Sequence, residues 1–288
     1  MKISKYIFFA ALGLLLASCQ KNVIEYDSRP LESKGYDAEF QLHYFEPVTS
    51  TAANYIDSVF VNDVLYSSVD GSGQLLTYNG VPGGGIARFF AAKSGSNRIT
   101  LWRDGAVVYD KNANLKPGKQ NIFIYDLAQE PKIIESGYPY RDVVSRPDPT
   151  AETFDTDSIA VVRFYNFLFE ADGTPYAGKL QYQWRNDVKD AEGNYIWHNV
   201  GAPVAFGEAS EYTPLTVHKV VFNHSGYQRI DYRILDESGK VLRLNNSKGT
   251  EIDYSDWWNA YIGRVYMHIF AGYRKDKPSA SVRVWTCM

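Results

Sequence analysis

Beyond residue 38 the chain consists of short runs in which apolar and polar residues alternate. In the first run Phe40, Leu42 and Tyr44 alternate with Gln41 and His43, which is the period of a half-buried strand. No helix-length window has a helical period, so the pattern predicts an all-β fold. Two pairs of runs flank turn residues and predict hairpins: 57–61 with 64–66 around Asn62-Asp63, and 98–102 with 106–109 around Arg103-Asp104-Gly105.

A change in composition divides the strand pattern into two halves. Residues 138–158 contain three prolines and five carboxylates, which indicates a linker, and apolar strands resume at residue 159. We therefore expect two tandem antiparallel β-sandwich domains, of the immunoglobulin-like or transthyretin-like kind, at residues 38–137 and 159–288.

The two halves are related in sequence. The pattern Ser-Gly-x-x-Arg-Ile at residues 94–99 recurs at 225–230, and in both halves a turn with Asp and Gly follows it. The opening strands align as residues 40–45 with residues 161–166. Repetition of strand order together with turn chemistry is best explained by an internal duplication.

The amino-terminal residues predict an exported protein with a lipid anchor. Lys2 and Lys5 precede a ten-residue apolar run at 7–16, which is too short for a membrane-spanning helix. The sequence Leu-Ala-Ser-Cys that ends at Cys19 resembles the lipobox of bacterial lipoproteins. This resemblance implies a signal peptide at 1–18, lipid attachment at Cys19 and an outer-membrane location, on either the periplasmic or the cell-surface face.

Residues 19–37 are polar and without a sustained period, which predicts a flexible tether between the lipid and the first strand. The tandem arrangement resembles the β-sandwich repeat of Bacteroidota lipoproteins that is known as the domain of unknown function numbered 4397. Its opening strand ends in an aromatic-Asn pair, here Tyr165-Asn166, which the first half replaces with Phe45-Glu46. The resemblance covers about residues 38–130 and 159–286, and it implies a fold without an activity.

Charge and motif content argue against several classes of function. Without Lys2 and Lys5 the mature chain has 28 basic and 33 acidic residues, so nucleic acid is not an expected partner. No catalytic signature is found, and the five histidines are scattered singly without metal-ligand spacing. We therefore predict no enzyme, no cofactor and no metal. Once Cys19 carries lipid, Cys287 has no partner for a disulfide, and we expect it to end a last strand as an inert thiol.

Two segments of the second half, 189–199 and 251–261, have no evident counterpart in the first half. Both mix aromatic rings with carboxylates and amides. A flat ring can cover the apolar face of a sugar while carboxylates and amides bind its hydroxyls. The candidate ligand-binding residues are Tyr195, Trp197, Asp253, Tyr254, Asp256, Trp257, Trp258 and Asn259.

Trp257 and Trp258 are the central pair of this hypothesis. In a strand, neighbouring side chains point to opposite faces, so at most one of the two can enter the core. An exposed Trp is typical of a binding surface, whereas two rings capping the sandwich or filling an interface would be structural. Trp102, Trp184 and Trp285 are expected in the core.

These observations favour a non-catalytic lipoprotein that binds a polysaccharide at the cell surface. Two alternatives remain open at this point. One is a fimbria-like assembly or adhesion subunit that passes a strand between protomers. The other is an accessory lipoprotein that docks on an outer-membrane transporter.

Overall fold

The computed structural model describes residues 35–49, 51–68, 89–136, 159–217 and 227–286. The expected signal peptide with Cys19, most of the tether, the linker and Cys287 lie outside these residues. Within them, all regular structure is β apart from one 3₁₀ turn at Ala52–Asn54, so the all-β prediction is confirmed.

The described part of the first half forms two four-stranded sheets. One sheet has the order β4-β1-β7-β8 and is called the inner sheet, because it packs against the other half of the chain. The other, called the outer sheet, has the order β3-β2-β5-β6. The strands are β1 (Ala38–Tyr44), β2 (Ser58–Val61), β3 (Val64–Ser68), β4 (Phe90–Ala92), β5 (Gly95–Arg103), β6 (Ala106–Leu115), β7 (Gly118–Ile124) and β8 (Lys132–Glu135).

The second half repeats this plan with one added hairpin. Its inner sheet has the order β12-β9-β17-β18, its outer sheet has the order β11-β10-β13-β16, and β14 pairs with β15 alone. The strands are β9 (Ile159–Phe169), β10 (Gln181–Arg185), β11 (His198–Asn199), β12 (Thr213–Thr216), β13 (Tyr227–Leu235), β14 (Arg243–Asn245), β15 (Glu251–Asp253), β16 (Ser255–Tyr261), β17 (Val265–Tyr273) and β18 (Ser281–Thr286).

The two candidate segments have counterparts in part. Residues 189–197 lie in the connection between β10 and β11, where the first half has only the Asn62-Asp63 turn, and β15 belongs to the added hairpin. By position in the sheets, β11 corresponds to β3 and β16 corresponds to β6. The added element is the β14–β15 hairpin, which interrupts the strand equivalent to β6. Before the hairpin Val241 pairs with Leu235, and after it the Tyr254 amide donates to the Leu242 carbonyl at 2.8 Å.

Each inner sheet contains one parallel pair, so the expectation of wholly antiparallel sheets is wrong there. β1 runs parallel to β7, with Ala38 opposite Gly118, and β9 runs parallel to β17, with Val161 opposite Val265. All other pairings between named strands are antiparallel in the described residues. The same parallel pair in both halves is a further sign of the repeat.

Both predicted hairpins are confirmed, and their turn residues have the required backbone. Asn62 and Asp63 have φ values of 51° and 63°, and Asp104 and Gly105 have values of 50° and 73°. Two successive residues with positive φ match the twist of the flanking strands, and Asn, Asp and Gly adopt this conformation most readily.

Three apolar clusters join the four four-stranded sheets into one compact unit. One lies between the two four-stranded sheets of the first half, and one lies between those of the second half. The third lies between the two inner sheets and includes Phe45, Phe123, Tyr165, Phe167 and Trp285. Because both faces of the inner sheets are covered, β1, β7, β9 and β17 are buried along most of their length.

The alignment of the two opening strands is shifted by one residue from the predicted one. Phe40 and Leu42 point into the first core, whereas Val161, aligned with Phe40 in the sequence, points into the cluster between the inner sheets. Val162 and Phe164 point into the second core instead. A shift of one residue exchanges the two faces of a strand, and when both faces are apolar the sequence pattern does not reveal it.

Candidate functional site

The solvent side of the second outer sheet, called the outer face below, is built by strand alternation. On β13 the side chains of Ile230, Tyr232 and Ile234 are buried in the core. The intervening residues Arg229 and Arg233 therefore lie on the opposite side of the sheet. The same alternation on β10 and β16 places polar and aromatic side chains beside them.

Both segments singled out in the sequence contribute aromatic rings to this face. Trp257 on β16 is 50% exposed, and Tyr195, which precedes β11, is 45% exposed. Trp197 is partly exposed and borders the same cleft as Trp257. Trp197 and Trp257, which are 60 positions apart in the sequence, thus lie on the same face of the sheet formed by β10, β13 and β16.

The guanidinium groups of arginines lie against these rings. Asp231 on β13 forms ion pairs with Arg185, at 2.5 Å between Nη2 and Oδ2, and with Arg229, at 2.9 Å between Nε and Oδ1. The Cζ atom of Arg185 lies 3.6 Å from the centre of the Tyr195 ring, and that of Arg229 lies 4.8 Å from the Trp257 ring. Stacked guanidinium groups hold both rings in defined orientations.

Two adjacent clefts follow from this arrangement, and both are lined by Arg185, Arg229 and Asp231. Their volumes are about 330 Å³ and 360 Å³, at the lower end of small-ligand sites. The first cleft is also lined by Trp197, Tyr232, Ser255, Asp256 and Trp257, and the second by Asn186, Asp187, Tyr195, Tyr227 and Gln228.

Trp258 and Tyr254 are not part of the outer face, which corrects the expectation for these two residues. Both are only 6% exposed and belong to the second core. The hydroxyl of Tyr254 lies 3.2 Å from that of Tyr232 and accepts the Val282 amide hydrogen at 2.9 Å. Their rings therefore cannot contact a ligand at the surface.

The three polar candidates have different locations. Asp256 lines the first cleft, and its Oδ1 accepts the Trp257 amide hydrogen at 2.8 Å. Asn259 lies opposite Arg229 in the strand register. Asp253 lies on the added hairpin, where it faces Arg243 at 3.5 Å, and it lines neither of the two clefts.

The charged centre of the outer face was not predicted from the sequence. Arg185, Arg229, Asp231 and Arg233 were not among the candidates, and neither was Tyr227, which is 38% exposed. A signal was present, because charged residues alternate with Ile230, Tyr232 and Ile234 along β13.

The remaining tryptophans divide between core and surface. Trp184 and Trp285 are 5% and 4% exposed, so the prediction that they are core residues is confirmed. Trp102 is partly exposed on the first outer sheet, edge-on to Phe60 with 6.2 Å between ring centres. The core prediction for Trp102 is therefore wrong, because its side chain has the same orientation as the outward-facing Arg98, two strand periods away.

The sequence matches no protein-family model and no curated protein. The described part of the chain contains no helix with the length and apolarity that a bilayer crossing needs. Nor do its His, Cys, Asp and Glu side chains form a group of three or more suited to a metal ion.

Proposed function

We propose that this protein is a non-catalytic carbohydrate-binding lipoprotein of the cell envelope and that the outer face of its second half is the binding surface. The observation that carries the proposal is the half-exposed indole of Trp257, which borders one cleft together with Trp197. An exposed aromatic ring over a shallow cleft offers a flat apolar surface of the kind that stacks on a sugar.

Polar groups around these rings suit the hydroxyls of a sugar. Ser255 and Asp231 line the cleft beside Trp257 and supply a hydroxyl and a carboxylate. Asn186, Asp187 and Gln228 line the neighbouring cleft. An extended glycan lying across β10, β13 and β16 would contact both clefts, since they share the Arg185–Asp231–Arg229 group.

The proposal includes the domain organisation and the anchor. We take residues 38–137 and 159–288 to be duplicated immunoglobulin-like or transthyretin-like domains, a view supported by their equal strand order. Kinship with the repeat numbered 4397 stays a prediction from the sequence. We expect Cys19 to carry the lipid, which metabolic labelling with a palmitate analogue tests. A wild-type protein that stays unlabelled would contradict the anchor, and Cys19→Ala serves as the negative control.

Glycan binding is tested with the soluble mature chain, residues 20–288, by isothermal titration against a panel of neutral and acidic polysaccharides. Trp257→Ala and Trp197→Ala are expected to weaken binding by about tenfold or more each, which corresponds to about 1.4 kcal/mol. Trp102→Ala is the matched control, because it removes a partly exposed indole from the outer sheet of the other half.

If Trp257→Ala bound the glycan as tightly as the wild type, the outer face would not be the binding surface. Absence of binding to the whole panel would overturn carbohydrate recognition. In that case, a ladder of multimers on native gels would favour the assembly subunit, and co-purification with an outer-membrane protein would favour the accessory lipoprotein.

A further inference from the structure

Arg233 differs from the other two arginines of the outer face in having no carboxylate partner. Arg185 and Arg229 share Asp231. In the described ranges no Asp or Glu oxygen lies within 4.0 Å of a nitrogen of Arg233. Three guanidinium groups on adjacent strands therefore have one bridging carboxylate among them.

The guanidinium of Arg233 is nevertheless held in place. Its Nε donates to Gln183 Oε1 at 2.9 Å, and its Cζ lies 4.1 Å from the centre of the Trp197 ring. Gln183 is itself fixed, since its Nε2 donates to Asn199 Oδ1 at 2.8 Å. These contacts use Nε and one flat face of the guanidinium, and they leave the Nη groups, the usual donors to an anion, without a partner of opposite charge.

A partly buried guanidinium without a carboxylate partner is costly, because burial penalises an unpaired charge. Burial lowers the pKa of Arg233 below its ordinary value. An anionic ligand would supply the missing charge and form charge-assisted hydrogen bonds.

Arg233 does not itself line the cleft beside Trp257, but it neighbours two residues that do, Ser255 and Trp197. Ser255 lies opposite Arg233 in the register of β13 and β16, and it lines the cleft together with Trp197 and Trp257. Trp197 contacts Arg233 and also borders the cleft. A sugar ring stacked in the cleft can therefore direct a substituent toward Arg233.

We infer that the ligand is an acidic glycan, in which a carboxylate or sulfate of the sugar is bound by Arg233 while the ring stacks on Trp197 or Trp257. This inference rests on the proposed carbohydrate-binding function and narrows it to one ligand class. In it Gln183 is a positioning residue, because it orients Nε of Arg233 and leaves the two Nη groups for the anion.

The test compares polymers that differ only in charge. Isothermal titration of residues 20–288 would use polygalacturonate, alginate and hyaluronan, each beside its carboxyl-reduced neutral form, with dextran sulfate beside dextran as the sulfate arm. We expect at least one acidic polymer to bind tenfold or more tightly than its neutral counterpart. We also expect its affinity to be lower at 300 mM NaCl than at 50 mM NaCl, because salt screens the attraction between Arg233 and the anionic group.

The variant Arg233→Gln should abolish this preference, and Arg233→Lys should restore part of it, because lysine keeps the charge without the planar fork. Arg243→Gln is the matched control on the added hairpin, where the arginine is exposed and paired with Glu251. It should bind like the wild type.

The outcomes separate the two proposals. If neutral and acidic forms bind equally and Arg233→Gln has no effect while Trp257→Ala still weakens binding, the acidic class is wrong and carbohydrate binding stands. If dextran sulfate binds and every carboxylated polymer does not, the anion is a sulfate. If no polymer binds, both proposals fail together.

Discussion

Neighbouring residues of β16 have opposite environments, and this decides which tryptophan can act at the surface. Trp258 packs against Tyr266 and His268, with both ring-centre distances at 4.5 Å, inside the second core. Trp257 contacts Arg229 on the outer face and is half exposed. The indole of Trp258 therefore contributes to stability, and that of Trp257 is available for recognition.

We expect the two alanine variants to separate stability from binding. Trp258→Ala should lower the free energy of unfolding by about 3–5 kcal/mol, as for other large core residues. Trp257→Ala should lower it by no more than about 1 kcal/mol, the value of an exposed cation–π contact. Urea denaturation followed by circular dichroism measures both, and equal losses for the two variants would contradict the assigned environments.

Two histidines are buried as neutral groups. His43 lies between the inner sheets, where its ring stacks on Phe123 at 4.7 Å and its Nε2 lies 3.2 Å from Asn121 Oδ1. His268 lies in the second core, with its Nδ1 2.8 Å from the hydroxyl of Tyr182. Burial lowers the pKa of His43 to about 4 and that of His268 to about 3.

Stability should therefore fall when the pH is lowered below about 6.5. In the unfolded chain a histidine takes up its proton near pH 6.5, whereas the folded protein keeps both imidazoles neutral down to about pH 4. Each histidine can thus remove up to about 1.4 kcal/mol per pH unit in this window, and none of this loss occurs above it.

Urea unfolding at pH 7.5, 6.5, 5.5 and 4.5 measures this slope, and His268→Gln should reduce it even if the variant is less stable overall. The carboxyls of Asp110 and Glu135 change the stability only at lower pH, because hydrogen bonds from Arg98 and Lys116 lower their pKa values. An unchanged slope in His268→Gln would show that this imidazole does not titrate as expected.

At the scale of single elements, hairpin turns depend on local chemistry, and the turns at 62–63 and 103–105 were predicted for that reason. Asp190, Asp236 and Asn246 each accept backbone amide hydrogens with Oδ1 and are followed three residues later by a glycine with positive φ. This pattern requires no information from distant residues. The β14–β15 insertion was missed because its strands have three residues each and no alternation longer than that.

Two glycine-to-alanine variants should show the difference between local and tertiary requirements. Gly105 has φ of 73° and open space around an added Cβ, so Gly105→Ala should cost about 1–2 kcal/mol of backbone strain. In Gly272→Ala, within β17, the Cβ would lie 2.7 Å from the Ala280 Cα, so we expect about 2–5 kcal/mol. Thermal or urea unfolding gives both values, and the reverse order would contradict the packing around Gly272.

At the scale of the whole molecule, the cluster between the inner sheets joins the two halves of the chain. Phe123 of the first half lies 5.4 Å from Tyr165 and 4.8 Å from Phe167 of the second half, measured between ring centres. Trp285 is buried in the same cluster. The two halves share apolar surface that neither can cover alone.

We therefore expect one cooperative unfolding transition for residues 36–286. Phe123→Ala should lower stability by about 3–5 kcal/mol, as for a large core residue, and should shift the loss of strand structure and the change in tryptophan fluorescence together. Five of the six tryptophans lie in the second half, so fluorescence reports mainly on that half. A variant in which fluorescence keeps its wild-type midpoint would show that the sandwiches unfold independently.

Local pattern alone was sufficient to derive many of the strands, both predicted hairpins, the internal repeat and the two aromatic segments, because alternation and turn chemistry involve near neighbours. Only the tertiary structure decided which side of each strand is covered. In the tertiary structure Trp258 and Tyr254 lie in the core, and the opening strands align one residue away from the predicted alignment. The charged residues between the aromatic rings of the outer face are Arg185, Arg229, Asp231 and Arg233. The physical reason is that burial depends on which sheet packs against a face, and the packing partners lie far apart in the chain.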